Sequence, residues 1–202
     1  MHPTTVFHEP DADRLAERAA AGGLALIVVA EGGRSLVAHA PVLLDRARLR
    51  FHLSVANALC SVLSTGVRAL AVVSGPDAYV SPDWYAAADQ VPTWNYMSAE
   101  IEGPVRVMSG DETVALLDDL SARFEARLAP KPPWTRDKMS AIKFDAMLRG
   151  IIGFEMIVER LAGISKLSQN KPVDEIARVA RALAERPDDG SRAIAQAMAS
   201  RP

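Results

Sequence analysis

The order of hydrophobic and polar residues predicts a chain built mainly from short strands. Residues 24–30 form a continuous apolar run of strand length, and residues 35–44 and 49–54 follow after short turns. Connections this short join antiparallel strands, because a parallel crossover needs a dozen residues or more. The pattern therefore predicts an antiparallel meander of three strands.

The clearest alternation of side chains lies between residues 91 and 107. Asn95 falls on one face with apolar residues, whereas Trp94 and Tyr96 fall on the other face. Two aromatic side chains beside an amide offer flat surface with polar tips, which suits a planar ligand or a subunit contact. The alternative is the rim of a barrel that packs against another loop.

The rest of the pattern predicts further strands and a set of helices. A strand is expected at residues 68–74, a turn at residues 75–77, and one long strand at residues 150–161. Ser109 and Glu112 match a capping box that starts a helix. We expect six or seven mostly antiparallel strands closed into a small barrel, with helices packed outside.

Breaks in the pattern also predict the domain organisation. The barrel domain is expected to span residues 1–170 and to carry inserted helices within residues 110–148. Residues 171–202 are expected to form a helical tail.

The second hairpin of the meander gathers candidate ligand-binding side chains. A turn centred on Arg46 and Ala47 sets its register. The predicted opposite pairs are Leu44 with Leu49, Val42 with Phe51, Pro41 with His52, and His39 with Ser54. The last two pairs share one face, where they either bind a phosphate or carbonyl group or serve as structural polar residues. A metal site would need further ligands at suitable spacing, so no metal is predicted.

A short helix is predicted directly after this hairpin, over residues 56–65. Asn57 is a favourable residue for its N-terminal cap. The N–H groups at a helix N-terminus attract anions, so this position is a candidate phosphate site.

Composition and charge narrow the class of protein. The chain has 202 residues, 49% of them hydrophobic and 24% charged, as in ordinary soluble proteins. A formal net charge of -2 gives no general attraction to nucleic acid or anionic membranes. A single cysteine, Cys60, excludes an internal disulfide. With no signal peptide and no apolar run near the roughly 20 residues of a membrane span, we expect a cytoplasmic protein without membrane contact.

Several segments together resemble one known family. They comprise residues 38–45, residues 52–53 with 56–57, residues 75–85, residues 91–96, and residues 148–153 leading to 166–170, in the order in which that family has them. The most specific are the PTWNY sequence at residues 92–96 and the KLSQN sequence at residues 166–170. On these residues the chain is identified as a member of the PaiB family, FMN-binding split-barrel proteins described as bacterial negative transcriptional regulators.

The resemblance implies a fold, a cofactor and a site. The fold is mostly β with flanking helices, an FMN-binding split β-barrel similar to pyridoxine-phosphate oxidase. Two subunits would form a homodimer that holds FMN in the cleft between them. The cofactor-binding residues expected around this shared pocket are His39, Pro41, His52, Ser54, Asn57, Trp94, Asn95, Tyr96, Lys166, Ser168 and Gln169.

The chain departs from the family pattern at positions that bear on FMN. Val55 replaces an arginine, and Glu100 and Glu102 replace two histidines. Ile164 and Ser165 stand where a basic and an aromatic residue are common. Loss of one guanidinium from a phosphate site removes about 1.5–3 kcal/mol of binding, and added carboxylates repel the phosphate. We therefore expect weakened FMN binding, with complete loss as an alternative.

Other functional classes stay open at this point. Related split barrels include flavin-dependent oxidoreductases, although no general acid or base stands out here. Haem is a further candidate ligand, with His39 or His52 as axial ligand. DNA binding follows from the regulator label, but acidic residues offset the arginines of the tail.

Overall fold

The computed structural model describes residues 2–45 and 47–200, and these residues form seven strands and six α-helices. The strands are β1 Leu24–Glu31, β2 Arg34–Asp45, β3 Arg48–Ser54, β4 Arg68–Val80, β5 Thr93–Val107, β6 Ile151–Ile157 and β7 Arg160–Lys166. The helices are α1 Ala12–Gly22, α2 Leu59–Leu63, α3 Gly110–Glu125, α4 Ala141–Leu148, α5 Val173–Ala184 and α6 Asp189–Ala199. The predicted β-rich fold with flanking helices is confirmed.

The strands form one sheet in the order β4-β1-β2-β3-β6-β5-β7, with an additional pairing of β4 with β5. The described ladders that join β1, β2, β3 and β6, and that join β5 to β6, are antiparallel. The predicted pairs Val42 with Phe51 and Leu44 with Leu49 are confirmed. Arg46, at the centre of the predicted turn, lies outside the described residues.

The register changes where β2 changes its partner. Residues of β2 up to Pro41 pair with β1, so that His39 lies opposite Leu26. The ladder between β2 and β3 begins at Val42, and His52 pairs instead with Gly153 of β6. The predicted pairs of Pro41 with His52 and of His39 with Ser54 therefore lie beyond the observed ladder.

The chain divides into two compact units that alternate along the sequence. Unit 1 comprises Met1–Arg18, Ser74–Ala99 and Ala162–Pro202, and unit 2 comprises Ala19–Val73 and Glu100–Leu161. The boundary predicted at residue 170 falls inside unit 1.

Unit 2 is a barrel with helices outside. Its core contains Phe51 and Phe154, fully buried rings stacked with their centroids 5.5 Å apart. The backbone N–H of Val105 donates to the Val67 carbonyl at 3.0 Å, and Val105 also pairs with Met156 of β6. β5 thus joins the two edges of this barrel. The predicted capping box of Ser109 and Glu112 is present and starts α3.

Unit 1 has its own hydrophobic core. Ala78 and Val80 of β4 pack with Leu167, and Val179 of α5 and Ile194 of α6 complete the cluster. The two tail helices are therefore part of the unit that contains the KLSQN segment.

Three predicted elements differ from the observed ones. Residues 75–77 are not a turn but continue β4. Residues 150–161 form parts of two strands, because the chain turns at Val158 and Glu159. The helix predicted over residues 56–65 is reduced to the five residues of α2. In the described part of the chain, no helix is both long and apolar enough to cross a membrane.

Candidate functional site

The PTWNY and KLSQN segments lie side by side in unit 1. Asn95 is fully buried, and its side-chain amide donates to the hydroxyl of Ser168 at 2.9 Å. Ser168 is also buried and has a φ of 60°, the left-handed region that residues other than glycine seldom adopt. A strained backbone held by a buried hydrogen bond indicates that this contact fixes the local conformation.

Lys166 is held at the entrance of β5. Its ammonium group donates to the hydroxyl of Thr93 at 2.6 Å and to the carbonyl of Trp94. Partial burial lowers the pKa of Lys166, because desolvation disfavours its charged form. The two hydrogen bonds fix the position of the ammonium group.

A cavity of about 200 Å³ opens beside Lys166. Lys171 lies on its wall, where its ammonium group donates to the side-chain oxygen of Gln90 at 2.6 Å and lies 5.3 Å from the centre of the Tyr85 ring. Hydroxyl and amide groups of Thr93, Asn95, Ser168 and Asn170 complete the polar lining. The described lining residues include two ammonium groups and no carboxylate, so the cavity favours an anion.

The loop that borders this cavity is anchored by a buried glutamate. Glu175 of α5 accepts hydrogen bonds from the backbone N–H groups of Ala86 at 2.9 Å and Ala87 at 3.0 Å. The small polar residues of this loop gave no sign of such an anchor, because the acceptor lies almost ninety positions later in the sequence.

Gln169 has a structural role in the same segment. Its side chain donates to the carbonyls of Ser165 at 2.6 Å and Val6 at 3.0 Å, and accepts from the N–H of Leu167 at 2.7 Å. These bonds occupy both ends of the amide, so Gln169 shapes the chain around Lys166 and Ser168.

Trp94 and Tyr96 point to the other face of β5, as the alternation predicts. Trp94 is 54% exposed and meets Tyr79 edge to face, with ring centroids 6.0 Å apart. Tyr96 is half-buried. The exposed pair of Trp94 and Tyr79 offers aromatic surface to a ligand or a second subunit.

Unit 2 contains the other candidate residues. Pro41 is half-buried and His39 is exposed. The Ser54 hydroxyl accepts from the N–H of Ala56 at 3.3 Å, and the Asn57 side chain accepts from the N–H of Leu59 at 2.9 Å. These donors are therefore already bonded, and the five-residue α2 is too short for the predicted anion-binding helix N-terminus.

Val55 leaves the same turn without a cationic side chain. It is exposed, and its N–H donates to the Gly150 carbonyl at 3.0 Å. The turn thus has neither the arginine nor the N–H donors that would favour a phosphate.

His52 lies in a different environment from His39. Its Nδ1 atom is buried without a hydrogen-bond partner, and burial lowers the pKa of the ring. A mostly apolar cavity of about 230 Å³ opens next to it, bordered by α3 and α4.

Two of the substituted family positions, Glu100 and Glu102, form ion pairs. Arg160 pairs with Glu102, and with Glu100 at 3.5 Å. This arginine partly compensates the negative charge of the carboxylates at residues 100 and 102.

Ser165, another substituted position, lies in unit 1. Its buried hydroxyl donates to Glu9 at 2.6 Å and accepts from Arg18 at 2.9 Å.

The structure groups the predicted site residues by unit. Unit 1 brings together Asn95, Lys166 and Ser168, with Gln169 as their support. Lys171, Tyr85 and Gln90 were missed by the sequence reasoning; the position of Lys171 directly after the KLSQN segment is the signal that could have found it. Among the described residues, no group of His, Cys, Asp and Glu side chains is arranged to hold a metal ion.

Comparison with known proteins places the chain in a family. Residues 1–160 match the family model described as "Putative FMN-binding domain". The protease synthase and sporulation protein PAI 2 of Bacillus subtilis is 29% identical over 149 residues, which cover 72% of this chain and 70% of that protein. An uncharacterized protein of Emericella nidulans is 31% identical over 114 residues, half of this chain and 45% of that protein.

A solved structure gives the fold. The FAD and heme binding protein from Mycobacterium smegmatis matches with a TM-score of 0.61 and 19% identity, over 84% of this chain and 78% of that one. The sheet order and this likeness define a split-barrel fold. The chain belongs to the FMN-binding-domain family, and its predicted resemblance to PaiB is confirmed.

Proposed function

We propose that this protein binds FMN and that the cavity beside Lys166 holds its phosphate end. The observation that carries the proposal is the pairing of two ammonium groups, from Lys166 and Lys171, with hydroxyl and amide groups and no carboxylate among the described lining residues. A phosphate dianion needs such donors, and the family of the chain supports FMN as the source of that phosphate.

The residues present fit part of the cofactor. A cavity of about 200 Å³ is smaller than the roughly 300–1,000 Å³ of ordinary ligand pockets, so it would take the phosphate and part of the ribityl chain. Trp94 lies exposed on the face of β5 opposite to Asn95, so its predicted contact with the flavin ring stays a prediction. FMN, when bound, would supply hydride or single-electron transfer chemistry.

We propose further that the protein acts as a homodimer. A cavity too small for a whole FMN and the exposed pair of Tyr79 and Trp94 both favour a second subunit that completes the site. The predicted roles of His39, Pro41, His52, Ser54, Asn57 and Tyr96 toward the cofactor stay predictions. Native mass spectrometry measures the oligomeric state, and a monomer at micromolar concentration would contradict this part of the proposal.

FMN binding is tested by titration of the purified protein, monitored by flavin fluorescence. We expect uptake of FMN and competition by inorganic phosphate. Lys166→Met should weaken binding by about tenfold or more, because one charge-assisted contact is lost. Lys143→Met, an exposed lysine of α4, serves as the matched control and should leave the affinity unchanged.

Two outcomes would contradict the FMN proposal. One is a colourless protein that takes up no added FMN. The other is equal FMN affinity in the wild type and in Lys166→Met, which would move the phosphate away from this cavity.

Regulation of transcription, implied by the family label, has weaker support. Arg192 of α6 pairs with Asp189 at 2.5 Å and donates to the Pro187 carbonyl at 2.5 Å, so this arginine is engaged within the tail. DNA binding would give an affinity that falls steeply with salt, and no binding at low salt would exclude it.

A further inference from the structure

Two residues at the start of helix α5 contact the same loop of unit 1. Lys171 directly precedes Pro172, the residue that caps α5, and lies on the wall of the cavity beside Lys166. Glu175 lies in the first turn of α5 and does not line the cavity. Both side chains contact the loop of residues 85–90, Lys171 at its two ends and Glu175 between them.

This loop has little side-chain packing to fix its path. Tyr85 packs against the hydrophobic core of unit 1, but residues 86–89 are exposed. Asp89 has a φ of 59°, which a residue other than glycine keeps only when its surroundings hold it. The position of Gln90, at the end of the loop, therefore depends on hydrogen bonds rather than on buried side chains.

Glu175 and the loop itself supply these hydrogen bonds. The buried carboxylate of Glu175 accepts from the backbone N–H groups of Ala86 at 2.9 Å and Ala87 at 3.0 Å. One residue further on, the carbonyl of Ala88 accepts from the side-chain amide of Gln90 at 3.0 Å. A carboxylate makes stronger hydrogen bonds than a neutral acceptor, so Glu175 is the principal anchor of the loop.

Gln90 in turn holds the ammonium group of Lys171. This group donates to the side-chain oxygen of Gln90 at 2.6 Å and lies 5.3 Å from the centre of the Tyr85 ring. A lysine side chain is flexible, so an ammonium group that is already held loses less freedom when an anion binds. The anchored loop thus keeps the charge of Lys171 in one position on the cavity wall.

We propose that Glu175 is a positioning residue for the anion site, which sets the place of the Lys171 ammonium group through the loop of residues 85–90. The proposal rests on the proposed function, in which this cavity holds the phosphate of FMN. Lys171 contacts the phosphate, and Glu175 acts without touching it. The C-terminal helix α5 is then part of the ligand site, although the match to the family model ends at residue 160.

The charge of Glu175 allows its two possible effects to be separated by sign. Removal of a carboxylate near an anion site should by charge alone strengthen phosphate binding, because a repulsion is lost. Removal of a positioning residue should weaken phosphate binding. Glu175→Ala therefore distinguishes the two effects. Glu175→Gln loses the charge but keeps an acceptor oxygen, so it should bind phosphate at least as tightly as the wild type.

The test measures the affinities for FMN and for inorganic phosphate by titration of the whole protein, in a double-mutant cycle. We expect Glu175→Ala to weaken both ligands by about 3- to 10-fold, the equivalent of one hydrogen bond. Lys171→Met should weaken both by about tenfold or more, and Glu175→Ala should add nothing to that loss. In Lys166→Met, Glu175→Ala should keep its full effect. Asp174→Ala, at an exposed acidic neighbour, should leave both affinities unchanged.

A second measurement does not depend on a ligand. Acetylation by an activated ester, followed by mass spectrometry, reports the reactivity of each lysine amine. We expect Lys171 to react faster in Glu175→Ala than in the wild type, and Lys166 to react at an unchanged rate. Gln90→Leu removes the acceptor of Lys171 and leaves Glu175 in place. It should reproduce both the faster reaction and the weaker binding, and it serves as the test if Glu175→Ala does not fold.

Three results would overturn the proposal. The first is an FMN affinity of Glu175→Ala equal to or higher than that of the wild type. The second is the same weakening by Glu175→Ala with and without Lys171, which would indicate a general loss of structure. The third is an unchanged reaction rate of Lys171 in both Glu175→Ala and Gln90→Leu.

The failure of this inference differs from the failure of the proposed function. A wild type that takes up neither FMN nor inorganic phosphate would contradict the proposed function and the anion site with it. FMN binding that depends on Lys166 but is not weakened by Glu175→Ala would contradict this inference alone.

Discussion

Two cavities of similar volume, about 200 Å³ beside Lys166 and about 230 Å³ beside His52, have opposite chemistry. In the first, Lys166, Lys171 and Asn95 all have hydrogen-bond partners. In the second, the Nδ1 atom of His52 has none, and most of the walls are apolar. The difference teaches that neighbouring groups fix the polar side chains beside Lys166, whereas the buried Nδ1 atom of His52 has no hydrogen bond that orients it.

This contrast leads to a ranking of expected effects. Removal of a bonded polar group beside Lys166 should destabilise the fold, because its partner is left buried and unsatisfied. Removal of the polar group of His52 should cost little, because no bond is lost.

The largest effect is expected for Asn95→Leu. The Ser168 hydroxyl would lose its buried partner, and the left-handed backbone of Ser168 would lose its support. We expect a loss of about 2–3 kcal/mol in the free energy of unfolding, measured by urea denaturation. Trp94→Leu, at the neighbouring exposed position, should cost less than about 1 kcal/mol. Equal losses would show that the Asn95 bond has no special weight.

Glu175→Ala should have the next largest effect. It removes the acceptor of two backbone N–H groups, those of Ala86 and Ala87, for a loss of about 1–3 kcal/mol. Hydrogen exchange at these two amides should become faster, since the loop would lose its anchor. Asp174→Ala changes an exposed acidic residue next to it and should leave the exchange unchanged.

The pH dependence of Lys166→Met is a smaller effect with a defined sign. Burial lowers the pKa of Lys166 in the folded protein below its ordinary value of 10.5. At a pH between the lowered pKa and 10.5, the unfolded chain therefore holds more protons than the folded protein. The stability of the wild type relative to Lys166→Met should therefore rise with pH in this interval. Lys143→Met should show no such trend against the wild type.

The smallest effect at neutral pH is expected for His52→Phe. It should change the free energy of unfolding by less than about 1 kcal/mol, because His52 is only half-buried and no hydrogen bond is lost. The lowered pKa of His52 adds a pH effect, since below 6.5 the unfolded chain takes up a proton that the folded protein resists. The wild type should therefore lose stability relative to the variant as the pH falls below 6.5. A difference independent of pH would show that His52 is not desolvated.

The sequence predicted those elements that are determined by interactions between residues close to each other along the chain. Strand β5 was predicted with its two faces, because a period of two residues is written directly in the alternation of Asn95 and its neighbours. The capping box of Ser109 and Glu112 was also predicted, since both of its partners lie within four residues. Five segments in the order of the family identified it, with PTWNY and KLSQN as the most specific of them.

Elements that depend on distant contacts were missed. The turn between β6 and β7 contains no glycine or proline that would have predicted it. Distant carbonyl groups hold it instead: the N–H of Val158 donates to the Ala47 carbonyl at 2.8 Å, and the N–H of Glu159 donates to the Glu102 carbonyl at 2.9 Å. Gly75 marked a turn by its residue type, but it lies inside β4. The strand needs glycine at this position, because a Cβ atom there would come within 2.9 Å of the Met97 carbonyl oxygen.

The sequence by itself determined the strand-rich pattern, the family, and the PTWNY and KLSQN segments that lie side by side in unit 1. Only the tertiary structure decided which side chains are satisfied, because partners such as Lys166 and Thr93 are separated by more than seventy residues. It paired Lys171 with Gln90, engaged the N–H donors near Asn57, and left the buried Nδ1 atom of His52 without a hydrogen-bond partner. Hydrogen-bond satisfaction depends on three-dimensional distance, which the spacing of residues along a chain does not contain.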